Sequence, residues 1–140
     1  MVYITNSTEE TKRVGYELAR ELDTDGRTKY IALRGEMGVG KTAFTSGFAS
    51  YFNISSVKSP TYTVMNEYRG NFNTVYHFDM YRINGEDDLY SIGYYDYLDS
   101  GAYLIVEWSE NILEFIPEDA LTVTIERVEN LPDSRKITIE

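Results

Sequence analysis

One segment of the chain has in full the Walker A pattern of a phosphate-binding loop (P-loop): Gly35-Glu36-Met37-Gly38-Val39-Gly40-Lys41-Thr42. Its glycines permit positive φ angles and a close approach of the backbone, so successive N–H groups can converge on phosphate oxygens. Lys41 adds a positive charge beside the β- and γ-phosphates, and the Thr42 hydroxyl can join the octahedral shell of Mg²⁺. We therefore expect this loop to bind a nucleotide together with Mg²⁺.

Two acidic residues, Asp79 and Glu107, each follow a largely apolar run typical of a buried strand, at 74–78 and 103–106. A P-loop protein needs a carboxylate at the end of a neighbouring strand to hold Mg²⁺ or its waters. With two carboxylates, one can organise the metal while the other orients or activates the attacking water. The sequence does not assign which residue takes which role.

The segment Ser59-Pro60-Thr61 lies between the P-loop and the strand that leads into Asp79. In many P-loop proteins a switch loop occupies this position, and its threonine senses the γ-phosphate. A proline-directed turn with a locally hydrogen-bonded threonine explains the same residues, so both interpretations stay open. His77 lies on the same side of its strand as Asp79. Since no second metal ligand accompanies it, we interpret it as a hydrogen-bonded core residue.

The elements that must position these residues follow from the apolar pattern. Val2-Tyr3-Ile4 forms a short strand, and Ser7 with Glu10 resembles a capping box. An apolar stripe then predicts a helix near 8–22, which Gly26 ends. Besides the strand at 74–78, three elements are predicted between Gly26 and residue 98: a strand at 30–33, a helix at 42–52 and a weak helix at 87–98 that Gly93 interrupts.

Strand and helix alternate early in the chain, which indicates an α/β domain with a mixed sheet. Alternating residues at 121–126 and 137–139, across a polar loop at 130–134, predict an antiparallel hairpin at the C-terminal end. With the P-loop, we expect one P-loop NTPase-like domain over residues 1–140, with three layers and a mixed, mainly parallel sheet.

The composition excludes several classes of protein. The chain has 140 residues and no cysteine, which excludes disulfides, cysteine-based zinc or iron–sulfur sites, and a cysteine nucleophile. No apolar run approaches the roughly 20 residues of a membrane span, and the first residues lack a signal-peptide pattern. We therefore expect a soluble, cytoplasmic protein.

The negative charge is concentrated in one part of the chain. The formal net charge is −10, and residues 83–126 contain eleven Asp and Glu but no Lys or Arg. An acidic surface repels a phosphate backbone, so tight nucleic-acid binding by this chain alone is not expected. The same stretch is rich in tyrosine, which is enriched at protein interfaces. This composition is consistent with a solvated acidic face and also with a docking surface for a basic partner.

Together these residues resemble the TsaE (YjeE) family of small bacterial P-loop ATPases over almost the whole chain. The resemblance rests on these residues: Thr11, Gly35–Thr42, Val57-Lys58-Ser59-Pro60-Thr61-Tyr62-Thr63-Val64, Asn66-Glu67-Tyr68, His77-Phe78-Asp79-Met80-Tyr81-Arg82, Ile92-Gly93, Asp96-Tyr97 and Val106-Glu107-Trp108. The Ser-Pro-Thr, His-Phe-Asp-x-Tyr-Arg and Glu-Trp blocks are much more specific than Walker A alone. Ser109 departs from the family, which usually has proline after the Glu-Trp pair.

The resemblance implies a role in the synthesis of N6-threonylcarbamoyladenosine (t6A), next to the anticodon of tRNA. Family members act with the proteins TsaB and TsaD, which carry out the transfer onto tRNA, so contact with tRNA would be indirect. The family protein supplies an ATP-driven step that resets the complex, and its own Mg²⁺-dependent ATPase is weak when alone. ATP and ADP are therefore the expected ligands.

The resemblance also implies roles for individual residues. The P-loop amides and Lys41 would bind phosphate, and Thr42 with Glu107 would ligate Mg²⁺. Asp79 would assist catalysis and Thr61 would be the switch threonine. Thr11 and Arg135 would border the nucleotide, on looser matches.

Two other functions fit a P-loop in a chain of this length. A small kinase would transfer phosphate from ATP to a small molecule, but the acidic segment lacks the arginines of a kinase lid. A nucleotide-binding module without hydrolysis would lack a competent catalytic base, and the presence of Asp79 and Glu107 disfavours this alternative. The absence of an Asn/Thr-Lys-x-Asp guanine-reading motif favours ATP over GTP in each case.

Overall fold

The structure is a computed structural model that describes residues 1–140. Its elements, in chain order, are β1 (Val2–Thr5), α1 (Thr8–Asp25), β2 (Tyr30–Arg34), α2 (Lys41–Ser50), β3 (Met65–Arg69), β4 (Thr74–Asp79), α3 (Glu86–Ser91), α4 (Tyr94–Leu98), β5 (Tyr103–Glu107), a 3-10 helix (Ser109–Phe115), β6 (Leu121–Val128) and β7 (Leu131–Ile139). None of the helices is long and apolar enough to cross a membrane.

The seven strands form one mixed sheet in the order β1-β7-β6-β2-β5-β4-β3. The neighbours β6, β2, β5 and β4 run parallel, whereas β7 and β3 run antiparallel to the strands beside them. Since β1 is antiparallel to β7, it has the same direction as β6, so five of the seven strands point one way. This confirms the mixed, mainly parallel sheet and the C-terminal antiparallel hairpin.

Helical layers cover both faces of the sheet. Alternate residues of β2 divide between the two cores, as the period of a strand requires. Ile31 and Leu33 pack in a core with residues of α1 and α2, while Tyr30 and Ala32 pack in a second core with residues of α3 and α4. The three-layer arrangement predicted from the sequence is therefore confirmed.

Helix α1 begins and ends where its capping residues predict. The Ser7 side chain accepts a hydrogen bond from the Glu10 N–H at 3.1 Å, and Gly26 ends the helix with a φ of 65°. Where α1 crosses α2, two glycines allow backbone contact: a Cβ on Gly15 would lie 2.2 Å from the Phe44 carbonyl oxygen, and one on Gly47 would lie 1.9 Å from the Lys12 carbonyl oxygen. This crossing fixes the helix that follows the P-loop.

Two features of the fold differ from the sequence expectations. The predicted polar loop at 130–134 is mostly strand, because the hairpin turns at Glu129 and Asn130 and β7 already begins at Leu131. Asn130 has a φ of 65°, which an asparagine adopts more readily than most residues. Strand β3 and the 3-10 helix were not predicted, since neither has a clear apolar period.

Candidate functional site

The P-loop connects the carboxyl end of β2 to the first residue of α2. Gly38 and Gly40 have φ angles of 75° and 122°, a region that side chains disfavour, so the loop requires glycine at both positions. The Val39 side chain is buried and anchors the middle of the loop. Helix α2 then begins at Lys41, so its free N–H groups and partial positive charge lie next to the loop.

Two arginines of the C-terminal hairpin hold the P-loop from one side. Arg127 donates to the Glu36 carboxylate at 2.8 Å and to the Met37 carbonyl oxygen at 3.2 Å. Arg135 donates from Nε to the Val39 carbonyl oxygen at 2.6 Å. The two arginines are opposite each other across β6 and β7, so the register of the hairpin determines where both reach the loop.

The two acids lie side by side at the other side of Lys41. Asp79 and Glu107 are register partners at the ends of the parallel strands β4 and β5, and both are buried. Glu107 Oε1 lies 3.4 Å from Lys41 Nζ, while its Oε2 lies 2.6 Å from His77 Nε2. Asp79 Oδ1 accepts a hydrogen bond from the Tyr81 N–H at 2.9 Å. Asp79 and Glu107 therefore occupy equivalent positions at two strand ends but contact different residues.

The different partners shift the two carboxyl groups in opposite directions. Burial alone would raise the pKa of Glu107, but the hydrogen bond from His77 and the positive charge of Lys41 bring it below its ordinary value. Burial raises the pKa of Asp79, and the Glu107 charge adds to this, against the opposing hydrogen bond from Tyr81. Glu107 is therefore held as the anion of the site, whereas Asp79 retains a proton more readily.

His77 is a buried, hydrogen-bonded core residue, as predicted. Its Nδ1 lies 3.1 Å from the Tyr68 hydroxyl, which donates to the Lys58 carbonyl oxygen at 2.7 Å. Tyr68 is among the residues that carry the family resemblance, which implies no role for it, and no sequence motif includes Arg127. No local signal marks either residue, because both reach the site from strands distant in sequence.

Most of the predicted site residues line one cavity of about 460 Å³. The cavity includes the predicted residues of the P-loop, the switch segment and the strand ends: Met37, Gly38, Lys41, Thr42, Thr61, Asp79 and Glu107. Thr61 Oγ1 lies 2.7 Å from Ser59 Oγ, so this threonine is locally hydrogen-bonded and also lines the cavity. The two interpretations of the Ser-Pro-Thr segment are compatible.

A second cavity, of about 390 Å³, lies on the other side of the P-loop. Thr11 and Arg135 both line it, together with Gly38, Val39 and Gly40. Gly38 borders both cavities, so the loop separates them. Neither cavity is lined by Gly35 or Glu36; Gly35 begins the loop at the end of β2, and the exposed Glu36 contacts Arg127.

The oxygen donors of the first cavity fit a hard divalent cation. Thr42 offers a hydroxyl, and Asp79 and Glu107 offer carboxylates, which are ligands that Mg²⁺ prefers. No group of three or more His, Cys, Asp or Glu residues is arranged to hold a metal. A magnesium ion here would therefore depend on phosphate oxygens and waters for much of its shell, as is usual beside a P-loop.

Trp108 contributes an aromatic wall to the same cavity. Its backbone is left-handed, with a φ of 57°, and its ring packs edge-to-face on Tyr81 at a centroid distance of 4.9 Å. Lys41 Nζ lies 5.7 Å from the centre of the indole ring, a distance at which a cation is attracted to an aromatic face. Lys41 is therefore bounded by an anion and by an aromatic ring.

Comparison with known proteins matches residues 5–137 to the family model described as "Threonylcarbamoyl adenosine biosynthesis protein TsaE". Three relatives share the name tRNA threonylcarbamoyladenosine biosynthesis protein TsaE. The protein of Bacillus subtilis is 38% identical over 109 residues, covering 77% of this chain and 66% of its own length. The protein of Rickettsia conorii is 31% identical over 131 residues, covering 92% of this chain and 73% of its own length. That of Treponema pallidum is 28% identical over 137 residues, covering 97% of each chain.

The fold also matches a solved structure. The crystal structure of YdiB from Bacillus subtilis aligns with a TM-score of 0.76 and 29% sequence identity, covering 99% of this chain and 83% of that chain. The similarity therefore extends over the whole sheet and both helical layers, not only over the P-loop.

Proposed function

This chain belongs to the TsaE family and its role is in tRNA threonylcarbamoyladenosine biosynthesis; from this premise we propose that it acts there as a weak, Mg²⁺-dependent ATPase. One observation carries the proposal: Lys41, Thr42, Thr61, Asp79 and Glu107 line a single cavity beside the P-loop. This is the set of groups that phosphoryl transfer to water requires, namely a phosphate cradle, a metal ligand and a water-orienting acid.

The P-loop residues Gly35–Thr42 bind the phosphates of ATP in this proposal. Their backbone N–H groups and the Lys41 ammonium contact the phosphate oxygens, while Thr11 and Arg135 border the rest of the nucleotide in the second cavity. Thr42 and Glu107 hold Mg²⁺, which supplies neutralisation of the charge on the β- and γ-phosphate oxygens. Thr61 contacts the γ-phosphate from the switch segment.

Asp79 is the residue that we propose to orient or activate water. The contacts of Glu107 with Lys41 and His77 keep it an anion, the form that a metal ligand needs. Asp79 has a single hydrogen bond, to one oxygen, and its raised pKa suits a group that accepts a proton during the reaction. The division of labour between the two acids follows from this difference.

The protein acts through partner proteins, TsaB and TsaD, and contacts tRNA only indirectly. The charge of the α3–α4 layer supports this, since α3 and α4 and their flanks expose Glu86, Asp87, Asp96 and Asp99 with no basic residue among them. Such a surface disfavours contact with a phosphate backbone and favours a basic protein surface.

The experiment measures phosphate release from Mg·ATP by this chain alone, by TsaB–TsaD alone, and by the three proteins together. We expect slow release by the chain and an increase of at least about tenfold with the partners, as for weak NTPases that a partner activates. The same release with and without partners would contradict the proposed coupling. Phosphate transfer to an added small metabolite, instead of to water, would support the kinase alternative.

A further inference from the structure

A continuous path of hydrogen bonds and one ion pair leads from Lys58, which precedes the Ser59-Pro60-Thr61 segment, to the P-loop lysine across three strands. The backbone carbonyl oxygen of Lys58 accepts from the Tyr68 hydroxyl at 2.7 Å, and the Lys58 N–H donates to the same hydroxyl at 3.1 Å. The hydroxyl lies 3.1 Å from His77 Nδ1, and His77 Nε2 lies 2.6 Å from Glu107. The other oxygen of Glu107 pairs with Lys41 at 3.4 Å.

The strand register explains why these side chains meet. Tyr68 on β3 is opposite Val75, two residues before His77 on β4. His77 is opposite Ile105, two residues before Glu107 on β5. Diagonal neighbours on one face of a sheet are within reach of long side chains, so the path advances by the same diagonal step on two consecutive strand pairs.

His77 has no other hydrogen-bonding partner, because both ring nitrogens belong to this path. The ring is completely buried, so water does not replace either contact. With Glu107 as an anion, Nε2 donates to it, and Nδ1 is then available to accept from the Tyr68 hydroxyl. The single proton of that hydroxyl has two acceptors within reach, His77 Nδ1 and the Lys58 carbonyl oxygen.

We propose that Tyr68 and His77 are positioning residues that couple the segment containing Lys58, Ser59 and Thr61 to the Glu107–Lys41 pair. In this proposal, a movement of the segment removes both backbone contacts of the Tyr68 hydroxyl with Lys58 and leaves it with His77 and with the Asn66 side-chain amide, which donates to it at 3.4 Å. The orientation of His77 sets the orientation of the Glu107 carboxylate, which in turn faces Lys41. The proposal rests on the proposed nucleotide site and adds how the switch segment regulates it.

Two amide substitutions separate the two ends of the path. His77→Gln places an amide where Nε2 lies and keeps a donor to Glu107, but it loses the contact with Tyr68. His77→Asn places an amide where Nδ1 lies, so it keeps the contact with Tyr68 and loses the one with Glu107. Tyr68→Phe removes only the hydroxyl. Tyr76→Phe, on the adjacent strand, is the matched control, since its hydroxyl takes no part in the path.

The experiment records kcat, KM for ATP and the Mg²⁺ concentration for half-maximal phosphate release, in the presence of TsaB–TsaD. Nucleotide binding is followed separately by the fluorescence of Trp108, the one tryptophan of the chain, and folding by thermal melting. We expect His77→Asn to raise the Mg²⁺ half-saturation about tenfold, the effect of one lost hydrogen bond to a charged group, with ADP binding within about twofold of wild type.

Tyr68→Phe and His77→Gln break the same link, so their combination distinguishes a path from two separate roles. We expect each to lower kcat about threefold to tenfold and the double variant to be no worse than the more impaired single variant, as for coupled residues. Losses that multiply in the double variant would overturn the proposal, as would unchanged kcat and Mg²⁺ dependence in variants that bind ADP. If His77→Asn fails to fold, these two variants and their combination decide the question.

The same measurements separate this inference from the proposed function. A wild-type chain that neither changes Trp108 fluorescence with Mg·ADP nor releases phosphate with its partners contradicts the nucleotide site, and the coupling falls with it. A wild-type chain that binds and hydrolyses, beside Tyr68 and His77 variants that match Tyr76→Phe, contradicts the coupling alone.

Discussion

The two sides of Lys41 are built in different ways. On the hairpin side, Arg127 and Arg135 donate to carbonyl oxygens of the P-loop backbone and so hold the shape of the loop. On the strand-end side, Glu107 contacts the Lys41 ammonium itself, and His77 holds that carboxylate. The hairpin side therefore fixes the position of the loop backbone, and the strand-end side places a negative charge next to the Lys41 ammonium.

The difference indicates which kind of substitution each side tolerates. Contacts to backbone carbonyls are spread over two arginines, and the loop keeps its glycine conformations and its Val39 anchor when one is lost. The charges on the strand-end side are few and buried, so each removal leaves an unpaired group. We therefore expect smaller effects on the hairpin side than on the strand-end side, with Lys41, where the two meet, the most sensitive.

The largest effect is expected for Lys41→Ala. The substitution removes the positive charge proposed to contact the β- and γ-phosphates and leaves the buried Glu107 without its ion-pair partner. We expect phosphate release with TsaB–TsaD to fall by at least about a hundredfold, the scale of losing a group that stabilises transition-state charge. Lys12→Ala, at a half-buried position of α1 that lines neither cavity, is the control. Unaltered release by the Lys41 variant would refute the site.

A smaller loss is expected for Glu107→Gln, which keeps the shape of the side chain and removes its charge. Because Lys41 and the proposed Mg²⁺ would then lack their anionic partner, kcat should fall about tenfold to a hundredfold. Binding of ADP without Mg²⁺, measured by calorimetry, should change by less than about threefold, since the loop amides carry it. The control is Glu110→Gln, in the following 3-10 helix. If ADP binding without Mg²⁺ fell as much as kcat, Glu107 would act in nucleotide binding itself, which would contradict its proposed role as a metal ligand.

On the hairpin side, Arg127→Ala tests the shape of the loop alone. It removes contacts with the Glu36 carboxylate and the Met37 carbonyl oxygen, both at an exposed site where such pairs contribute about 1 kcal/mol or less. We expect the dissociation constant for ADP to rise about threefold with kcat unchanged. Arg69→Ala, at the edge of the sheet, provides the comparison. A loss in kcat larger than that of Glu107→Gln would reverse the distinction between the two sides.

The sequence predicts the parts of this site that depend on neighbours in the chain. The P-loop, the caps of α1 and the strand ends before Asp79 and Glu107 each carry a local pattern, and the structure bears these elements out. The arginine contacts depend on the register of the hairpin, in which Arg127 faces Arg135. Residues 130–134 have no alternating apolar pattern, so the sequence does not indicate that β7 begins at Leu131 and does not give this register.

The tyrosines of residues 83–126 also have locations that no local sequence pattern predicts. Tyr94 and Tyr103 are buried, and Tyr94 shares a hydrogen bond with Tyr30 of β2 and donates to the Phe115 carbonyl oxygen. Tyr90 remains exposed. Composition alone gives all three the same weight as interface candidates, because the choice between core and surface depends on which face of a short helix or strand meets the sheet. Only the fold separates the core rings from the exposed one.

The smallest expected effect is on the stability of the nucleotide-free protein, where Asp79 and Glu107 should respond to pH in opposite directions. The fold favours the anion of Glu107, whose pKa is lowered from 4.5, so its stabilisation is present above that value and is lost as the pH falls through the lowered one. The fold favours the protonated form of Asp79, whose pKa is raised from 3.8. Its stabilisation is therefore present below pH 3.8 and is lost as the pH rises through the raised value.

The two conservative amide variants should consequently respond to pH with opposite signs. Asp79→Asn, which can still accept from the Tyr81 N–H, should raise the melting temperature at pH 7 by a few degrees, on the order of 1 kcal/mol, and by less at pH 4. Glu107→Gln should lower it at pH 7, and the difference from wild type should shrink as the pH falls below 4.5 and through the lowered pKa. Thermal melts of the nucleotide-free protein across this range test both. If the two variants shifted together, the carboxyl groups would share one environment, and the assignment of Asp79 rather than Glu107 to the water would lose its electrostatic basis.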